Sequence, residues 1–228
     1  QHGGFRPHDG GRFIDLLRAL NEVEGIERYR ISSIEPNLLT DEILEFVATS
    51  KRFMPHFHIP LQSGSDEVLK LMHRRYDREL FAGKIRTIRH LLPDAFIGVD
   101  VIAGMRGETE PVSKTPSGSS RRSTFHGFTY SLIPNAGNQS AGYPPDRSSG
   151  RKTPAGNRLI SVSQKKLTAF YHRFEGETRP VLFEDNKIGQ YICGFTDNYI
   201  KVKLPYDAGL ANRIIPIRLE KGLFCEDE

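Results

Sequence analysis

Between residues 12 and 104 the chain alternates helix-patterned and strand-patterned stretches, and no other feature limits its fold as tightly. "RFIDLLRALNEVE" (12–24) sets Phe13, Leu16, Leu17, Leu20 and Val23 at helical spacing, with Gly25 as a stop. "RYRISSIEP" (28–36) reads as a strand closed by Pro36. "LTDEILEFVATS" (39–50) follows as a helix capped by Thr40, with Ile43, Leu44 and Val47 on one face. "HFHIPL" (56–61) is the next strand. "SDEVLKLMHRRY" (65–76) and "DRELFAGKIRTIRHLL" (77–92) are the next helices, and "AFIGVDVIAG" (95–104) is an apolar strand ending at glycine. Strands alternating with helices predict a parallel sheet with helical crossovers, covered on both faces. In such sheets ligands sit at the carboxyl ends of strands. "SSIEP", "PLQSGS" and "AGMRGET" all fall there. Each turn is either a plain connection, which uses Gly, Pro and Ser anyway, or a ligand cradle; three polar strand ends favour the cradle.

The pattern then stops. Residues 111–157 are rich in Ser, Gly and Pro, show no amphipathic period, and are expected to be irregular. Residues 112–157 hold six Lys or Arg against one Asp, so the formal charge of +4 is concentrated there and the rest of the chain is close to neutral. That distribution weakens a nucleic-acid reading of the net charge. "RLISVSQKKLTAFYHRF" (158–174) resumes as a helix, with Leu159, Val162, Leu167, Phe170 and Phe174 on its apolar side. From Gly176 onward, "TRPVLFED", "IGQYICGFTDNYIKVKLP" and "NRIIPIRLEKG" are short strand-like runs with turns between them, the pattern of a small β-barrel. The expected divisions are 1–110, 111–157, 158–175 and 176–228.

No apolar run approaches the ~18 residues that span a membrane. "QHGGFRPHDG" has no apolar signal-peptide core. Cys193 and Cys225, the two cysteines, make no metal-ligand spacing and no disulfide framework, so a reducing cytoplasm is the expected location and a monomer the expected state.

Four stretches together resemble one family: "YRISSIEPNLLTDEI", "HFHIPLQSGSDEVLKLMHRRY", "FIGVDVIAGMRGETE" and "TRPVLFE…GFTDNYIKVKLP". They resemble the radical S-adenosylmethionine (SAM) methylthiotransferases, and within them the branch that modifies N6-threonylcarbamoyladenosine at position 37, beside the tRNA anticodon. The resemblance covers residues 11–110 and 158–220. "PLQSGSDxVLKxM" is its most specific part, whereas "SSIEP" alone is weak. It implies an α/β fold, a partial (β/α) radical-SAM barrel followed by a small all-β TRAM-like barrel that binds RNA. It also implies SAM and tRNA as ligands, no membrane, and two [4Fe–4S] clusters in the intact enzyme. One cluster cleaves SAM to a 5′-deoxyadenosyl radical that abstracts hydrogen from the adenine carbon. The other helps deliver sulfur, and a second SAM supplies the methyl group.

The resemblance assigns candidate roles. Ser33 and Glu35 would lie beside SAM, against the alternative of a strand-end serine and a solvated carboxylate. Gln62 and Ser63 would line its pocket with amide and hydroxyl groups. Arg74 would pair with the SAM carboxylate, while Arg75 is a solvated helix residue. Asp100 is either near SAM or a structural carboxylate, and Gly98 and Gly104 would permit close backbone approach. His56 and His58 alternate on one strand face without an evident third ligand and read as structural. In the terminal unit Arg179, Lys201 and Lys203 would meet tRNA phosphates and Phe195 and Tyr199 would stack on bases, against the alternative of a solvated basic face with a packed aromatic.

Two departures stand out. The family's cluster motif CxxxCxxC is absent from this sequence, and thiolates are the standard iron–sulfur ligands. The chain is therefore expected to be the C-terminal part of an enzyme, without radical chemistry of its own. Second, residues 1–10 and 111–157 read as frame-shifted. "DRSSGRKTPAG" (146–156) can be encoded so that the next frame reads Ile-Val-Pro-Pro-Glu-Glu-Lys-His-Arg-Arg, the kind of sequence the family carries before its last helix. A shifted segment would cost the barrel one strand and one helix, leave an apolar sheet edge exposed, and lower solubility. An unrelated barrel enzyme holding a phosphorylated small molecule is the outside alternative.

Overall fold

The computed structural model describes residues 10–103, 127–132 and 154–225, with side chains over 10–101 and 161–225. Two units follow one another along the chain. The first contains helices α1 (Phe13–Asn21), α2 (Asp41–Thr49), α3 (Asp66–Leu71) and α4 (Arg78–Leu91), and strands β1 (His56–His58), β2 (Phe96–Ala103) and β3 (Gly127–Leu132). The strands pair in parallel in the order β1-β2-β3. The predicted strand over 28–36 is reduced to one parallel bridge, Tyr29 with Phe53, plus a bond from Ile34 N to His58 O at 3.1 Å. It lies alongside β1 but leaves its ladder unfinished, because Pro36 lacks a donor and the chain turns at once into α2.

Helix boundaries follow their caps. Thr40 Oγ1 accepts from Ile43 N at 3.3 Å, Ser65 Oγ from Val68 N at 3.4 Å, and an Asp77 carboxylate oxygen from Leu80 N at 2.8 Å. Such caps contribute about 1 kcal/mol each. The predicted helix 65–76 ends early, at Leu71, because His73 turns to φ 54°. Alternation along the strands sorts the side chains. Phe57, Ile59, Leu61, Ile97, Val99 and Val101 are buried with Ile43, Leu44 and Val47 of α2 and Phe81, Ile85 and Ile88 of α4. The opposite face carries His56, His58, Phe96, Gly98 and Asp100. At Gly98 an added Cβ would stand 3.3 Å from the Phe96 ring, so the strand stays close-fitted there.

The expectation that residues 111–157 carry no regular element is corrected in two places. β3 pairs with β2 from Gly98–Gly127 to Ala103–Leu132, so this stretch of β2 has a neighbour on that side rather than an exposed edge. Helix α5 (Pro154–His172) begins before residue 158. "GFTYSL" alternates Phe128, Tyr130 and Leu132, a period-two signal too short to stand out among the surrounding Ser and Gly.

The second unit is a curled antiparallel sheet in the order β6-β5-β4-β7, built from β4 (Thr178–Ile188), β5 (Tyr191–Thr196), β6 (Lys201–Pro205) and β7 (Ile214–Arg218). After β7 the chain passes a 3-10 turn, Lys221–Leu223, and lays Phe224 in a bridge against Val202 of β6. Val181, Phe183, Ile192, Ile200, Val202, Leu219 and Phe224 form its core with Phe170, Tyr171 and Phe174 of and after α5. No helix among the described residues is long and apolar enough to cross a membrane.

Candidate functional site

The sheet face left uncovered by α2 and α4 changes character along its length. At the carboxyl ends of the strands it is polar. His58 and Asp100 project there from β1 and β2, with His58 Nε2 2.8 Å from Asp100 Oδ1. Asp100 Oδ1 is buried, with His58 Nε2 as its close neighbour and no other hydrogen-bond partner. Beyond β1 the chain stays tied to β2: Leu61 N and Gln62 N both donate to Asp100 O, at 3.1 and 2.9 Å. Gln62 takes φ 66°, a left-handed conformation that costs a residue with a Cβ about 1 kcal/mol. The double donation to one carbonyl holds it there. Ser63 is fully buried, and its Oγ accepts from Ser65 N at 3.2 Å, so its hydroxyl helps shape the turn ahead of α3. Tyr76 donates its hydroxyl to Pro60 O at 2.9 Å and pins the same turn from below; burial pushes its phenol up to about 12.

Glu35 and Arg74 complete this end. Arg74 Nη1 donates to Glu35 Oε1 at 2.6 Å, joining the end of the first extended segment to the turn after α3. Arg74 Nε is buried without a partner. Ser33 is exposed and Gly104 lies outside the described residues. The structure thus brings Glu35, Gln62, Ser63, Arg74 and Asp100 to the carboxyl end of one parallel sheet. Sequence reasoning set His58 aside as structural. Its contact with Asp100 follows from strand alternation, which places both on one face of neighbouring strands.

The other end of the same face is aromatic and is closed by the second unit. Tyr199, in the turn between β5 and β6, packs against His56 (ring centroids 4.3 Å), Phe96 (6.3 Å) and Phe195 (stacked at 4.5 Å), with the Arg30 guanidinium 4.5 Å from its centroid. Tyr199 has φ 70°, and the turn is tied by Ile200 N to Thr196 Oγ1 at 2.8 Å and Asn198 Nδ2 to Asp94 O at 3.3 Å. Arg28 donates to Phe195 O (3.1 Å) and Pro180 O (2.8 Å) across the junction. Arg179 sits among Asp94 (2.8 Å), Glu177 (3.1 Å) and Asp197 (3.1 Å) with its side chain 12% exposed. Those carboxylates outweigh burial and hold its guanidinium above its ordinary range. Arg179 and Tyr199, read from sequence as either tRNA contacts or part of a packed face, take part in joining the two units, and the Phe195 ring stacks on Tyr199. The Arg179 charge is met by carboxylates and the Tyr199 ring is packed by protein, while Phe195 is half-buried. Lys201 and Lys203 are half-buried on β6, with Lys203 Nζ 5.4 Å from the Tyr191 ring centroid.

The donor set fits SAM and does not fit an iron–sulfur cluster. A methionine-like ligand needs a cation for its carboxylate and an acceptor for its ammonium, and Arg74 Nε and Asp100 Oδ1 are a buried donor and a buried acceptor of those kinds. The sequence has two thiols, Cys193 and Cys225, both on the second unit and neither at the polar strand ends.

Comparison with known proteins gives the class first: the Radical SAM superfamily pattern matches residues 3–112. The chain is 32% identical over 224 residues to the threonylcarbamoyladenosine tRNA methylthiotransferase MtaB of Bacillus subtilis (strain 168), covering 95% of this chain and 49% of that protein. It is 33% identical over 223 residues to a tRNA-2-methylthio-N(6)-dimethylallyladenosine synthase of Syntrophotalea carbinolica, covering 95% of this chain and 50% of the relative. A synthase of the same description from a Parafrankia strain is 42% identical over 134 residues, 58% of this chain and 27% of that protein. The chain belongs to the radical SAM tRNA methylthiotransferase family, whose cofactors are SAM and [4Fe–4S] clusters. It spans about half the length of the curated relatives it matches.

Proposed function

We propose that this chain supplies the SAM-holding strand ends and a tRNA-contacting sheet of an enzyme that adds a methylthio group to C2 of N6-threonylcarbamoyladenosine at position 37. The observation that carries this is a buried Arg74 Nε without a hydrogen-bond partner, in the turn after α3, at the same end of the sheet as the buried Asp100 Oδ1, whose close neighbour is His58 Nε2 at 2.8 Å. Arg74 would take the SAM carboxylate, Asp100 and Glu35 its ammonium or ribose hydroxyls, and Gln62 and Ser63 would border the pocket. When bound, SAM supplies the family's radical precursor and its methyl group. This chain's own residues bind, orient and exclude water from that ligand; its two thiols do not make a cluster site. The threonylcarbamoyl branch rests on the sequence resemblance; the Bacillus subtilis relative and the dimethylallyladenosine synthase of Syntrophotalea carbinolica match this chain equally broadly.

A second reading rests on the same pair of thiols: the chain alone binds tRNA and carries out no chemistry. Lys201 and Lys203 are its candidate phosphate contacts, and the division of the chain near Glu175 separates its two ligands. Equilibrium dialysis with SAM, and filter binding with anticodon stem-loops bearing threonylcarbamoyladenosine or dimethylallyladenosine, test both. Saturable SAM binding with preference for the threonylcarbamoyl loop supports the first reading. Salt-dependent RNA binding without SAM affinity supports the second. Binding of neither refutes both.

A further inference from the structure

We infer that Cys193 and Cys225 form an oxidisable pair whose disulfide staples the end of the chain across the second unit's sheet. Their Sγ atoms lie 3.8 Å apart, and both are free thiols. Cys193 is on β5, opposite Lys203 of β6. Cys225 follows Phe224, which bridges Val202 on the far side of β6, and Cys225 N donates to Lys201 O at 3.0 Å. The two sulfurs therefore approach each other across one intervening strand. A covalent link needs the sulfurs to close from 3.8 Å to about 2.05 Å. Cys225 lies outside any helix or strand, held to β6 by its bond to Lys201 O and by the Phe224 bridge, so the gap closes by a shift of Cys225 against those two ties.

The oxidant is a peroxide. Cys225 is half-buried and Cys193 is 4% exposed, so Cys225 meets it first. The Cys225 sulfur attacks one peroxide oxygen, the O–O bond breaks, and one water leaves as the sulfenic acid forms. The Cys193 sulfur then attacks that sulfur, the S–O bond breaks, and the hydroxyl leaves with a proton as a second water. The thiols lose two electrons and the peroxide gains them. Burial and the neighbouring Cys193, opposed by Lys201 and Lys203, push the Cys225 thiol up to about 11, so oxidation at neutral pH is slow rather than immediate.

The test is hydrogen peroxide treatment of the folded chain, followed by intact-mass measurement, non-reducing peptide mapping and thermal unfolding. The expected product has lost the mass of two hydrogens, joins the peptides holding Cys193 and Cys225, and unfolds roughly 5–10 °C higher until dithiothreitol is added. Cys225→Ser should unfold with reduced wild type and gain neither the link nor the shift. Sulfinic or sulfonic acids without a crosslink, disulfides between chains, or a crosslink that leaves the midpoint unmoved would each overturn the inference. Mapping of the wild type decides the connectivity even if Cys225→Ser folds poorly.

Discussion

Arg74 Nη1 and Glu35 Oε1 lie 2.6 Å apart, while the Nε of the same guanidinium is buried and unpartnered. Glu35 therefore orients the arginine and leaves its Nε donor for a ligand. A charge-assisted hydrogen bond contributes about 1.5–3 kcal/mol, so Arg74→Ala should weaken SAM binding roughly 10–100-fold. Arg74→Lys should recover only part of this, because an ammonium lacks the fork that serves Glu35 and a carboxylate together. Both side chains are about one-third exposed, so urea unfolding should change by less than about 1 kcal/mol. Equilibrium dialysis set beside urea titration separates the two effects; equal losses in both would make the pair a structural tie instead.

His56 shows a cost built into the junction. It is 5% exposed, stacked on Phe96 at 5.4 Å, with its Nδ1 buried and unpartnered. Burial first, then Arg30 and His58, push its pKa down from 6.5 to about 3. The unfolded chain therefore binds a proton between those values that the folded chain refuses. Stability from this residue is complete above about 6.5 and is lost as pH falls toward 3, approaching 1.36 kcal/mol per pH unit well below 6.5. Replacing His56 by Phe keeps the ring and removes the titration. Urea unfolding of the two proteins from pH 7 to 4.5 should diverge in that direction; parallel curves would mean that His56 accepts a proton without unfolding.

The junction cluster yields a stability prediction. Replacing Arg179 with Met leaves Asp94, Glu177 and Asp197 facing one another with their shared cation gone, although Arg173 still reaches Asp94 at 2.5 Å. Removing one partner of a buried pair costs about 3–5 kcal/mol, and the exposure of these carboxylates lowers that to roughly 2 kcal/mol. Added salt should recover part of the loss by screening the carboxylates, and differential scanning calorimetry with and without salt measures it. An unchanged midpoint would mean that the aromatic contacts of Tyr199 and the bonds from Arg28, Asn198 and Arg173 hold the two units together without Arg179.

Sequence legibility followed the range of the forces involved. Helical and strand periods are local, so α1, α2, α4, α5 and β2 could be read directly, as could the strand-end turn at Gln62 and Ser63. The hidden parts depended on distant partners. β3 is stabilised by pairing with β2 across a connection of more than twenty residues, which its own six residues do not announce. Arg179 and Tyr199 look like nucleic-acid contacts in isolation, and only the folded chain brings Asp94 to one and His56 to the other. The family resemblance set Arg74 and Glu35 each beside SAM, but that the two, thirty-nine residues apart, pair with each other was not legible in the sequence.

Gly194 sets the tightest local constraint on the second unit. It lies on β5 opposite Phe183 of β4, next to the point where the β4–β5 register shifts. A Cβ there would fall 2.6 Å from Leu182 O, 2.8 Å from Val181 Cγ1 and 2.9 Å from Phe183 Cδ1. Carbon–carbon contacts are optimal near about 3.5–4.0 Å, so all three neighbours would have to yield at once. The carbonyl cannot swing away as a side chain can, and Val181 and Phe183 are fully buried in the core shared with α5. Gly194→Ala should therefore separate β4 from β5 or force the core apart, at a cost of about 3 kcal/mol or more. The damage should stay with the sheet: amides of β4, β5 and β6 should lose hydrogen-exchange protection while those of α2 and α4 keep theirs. Wild-type protection across the sheet in the alanine variant would mean that the β4–β5 strands pass farther apart at this point than the structure has them.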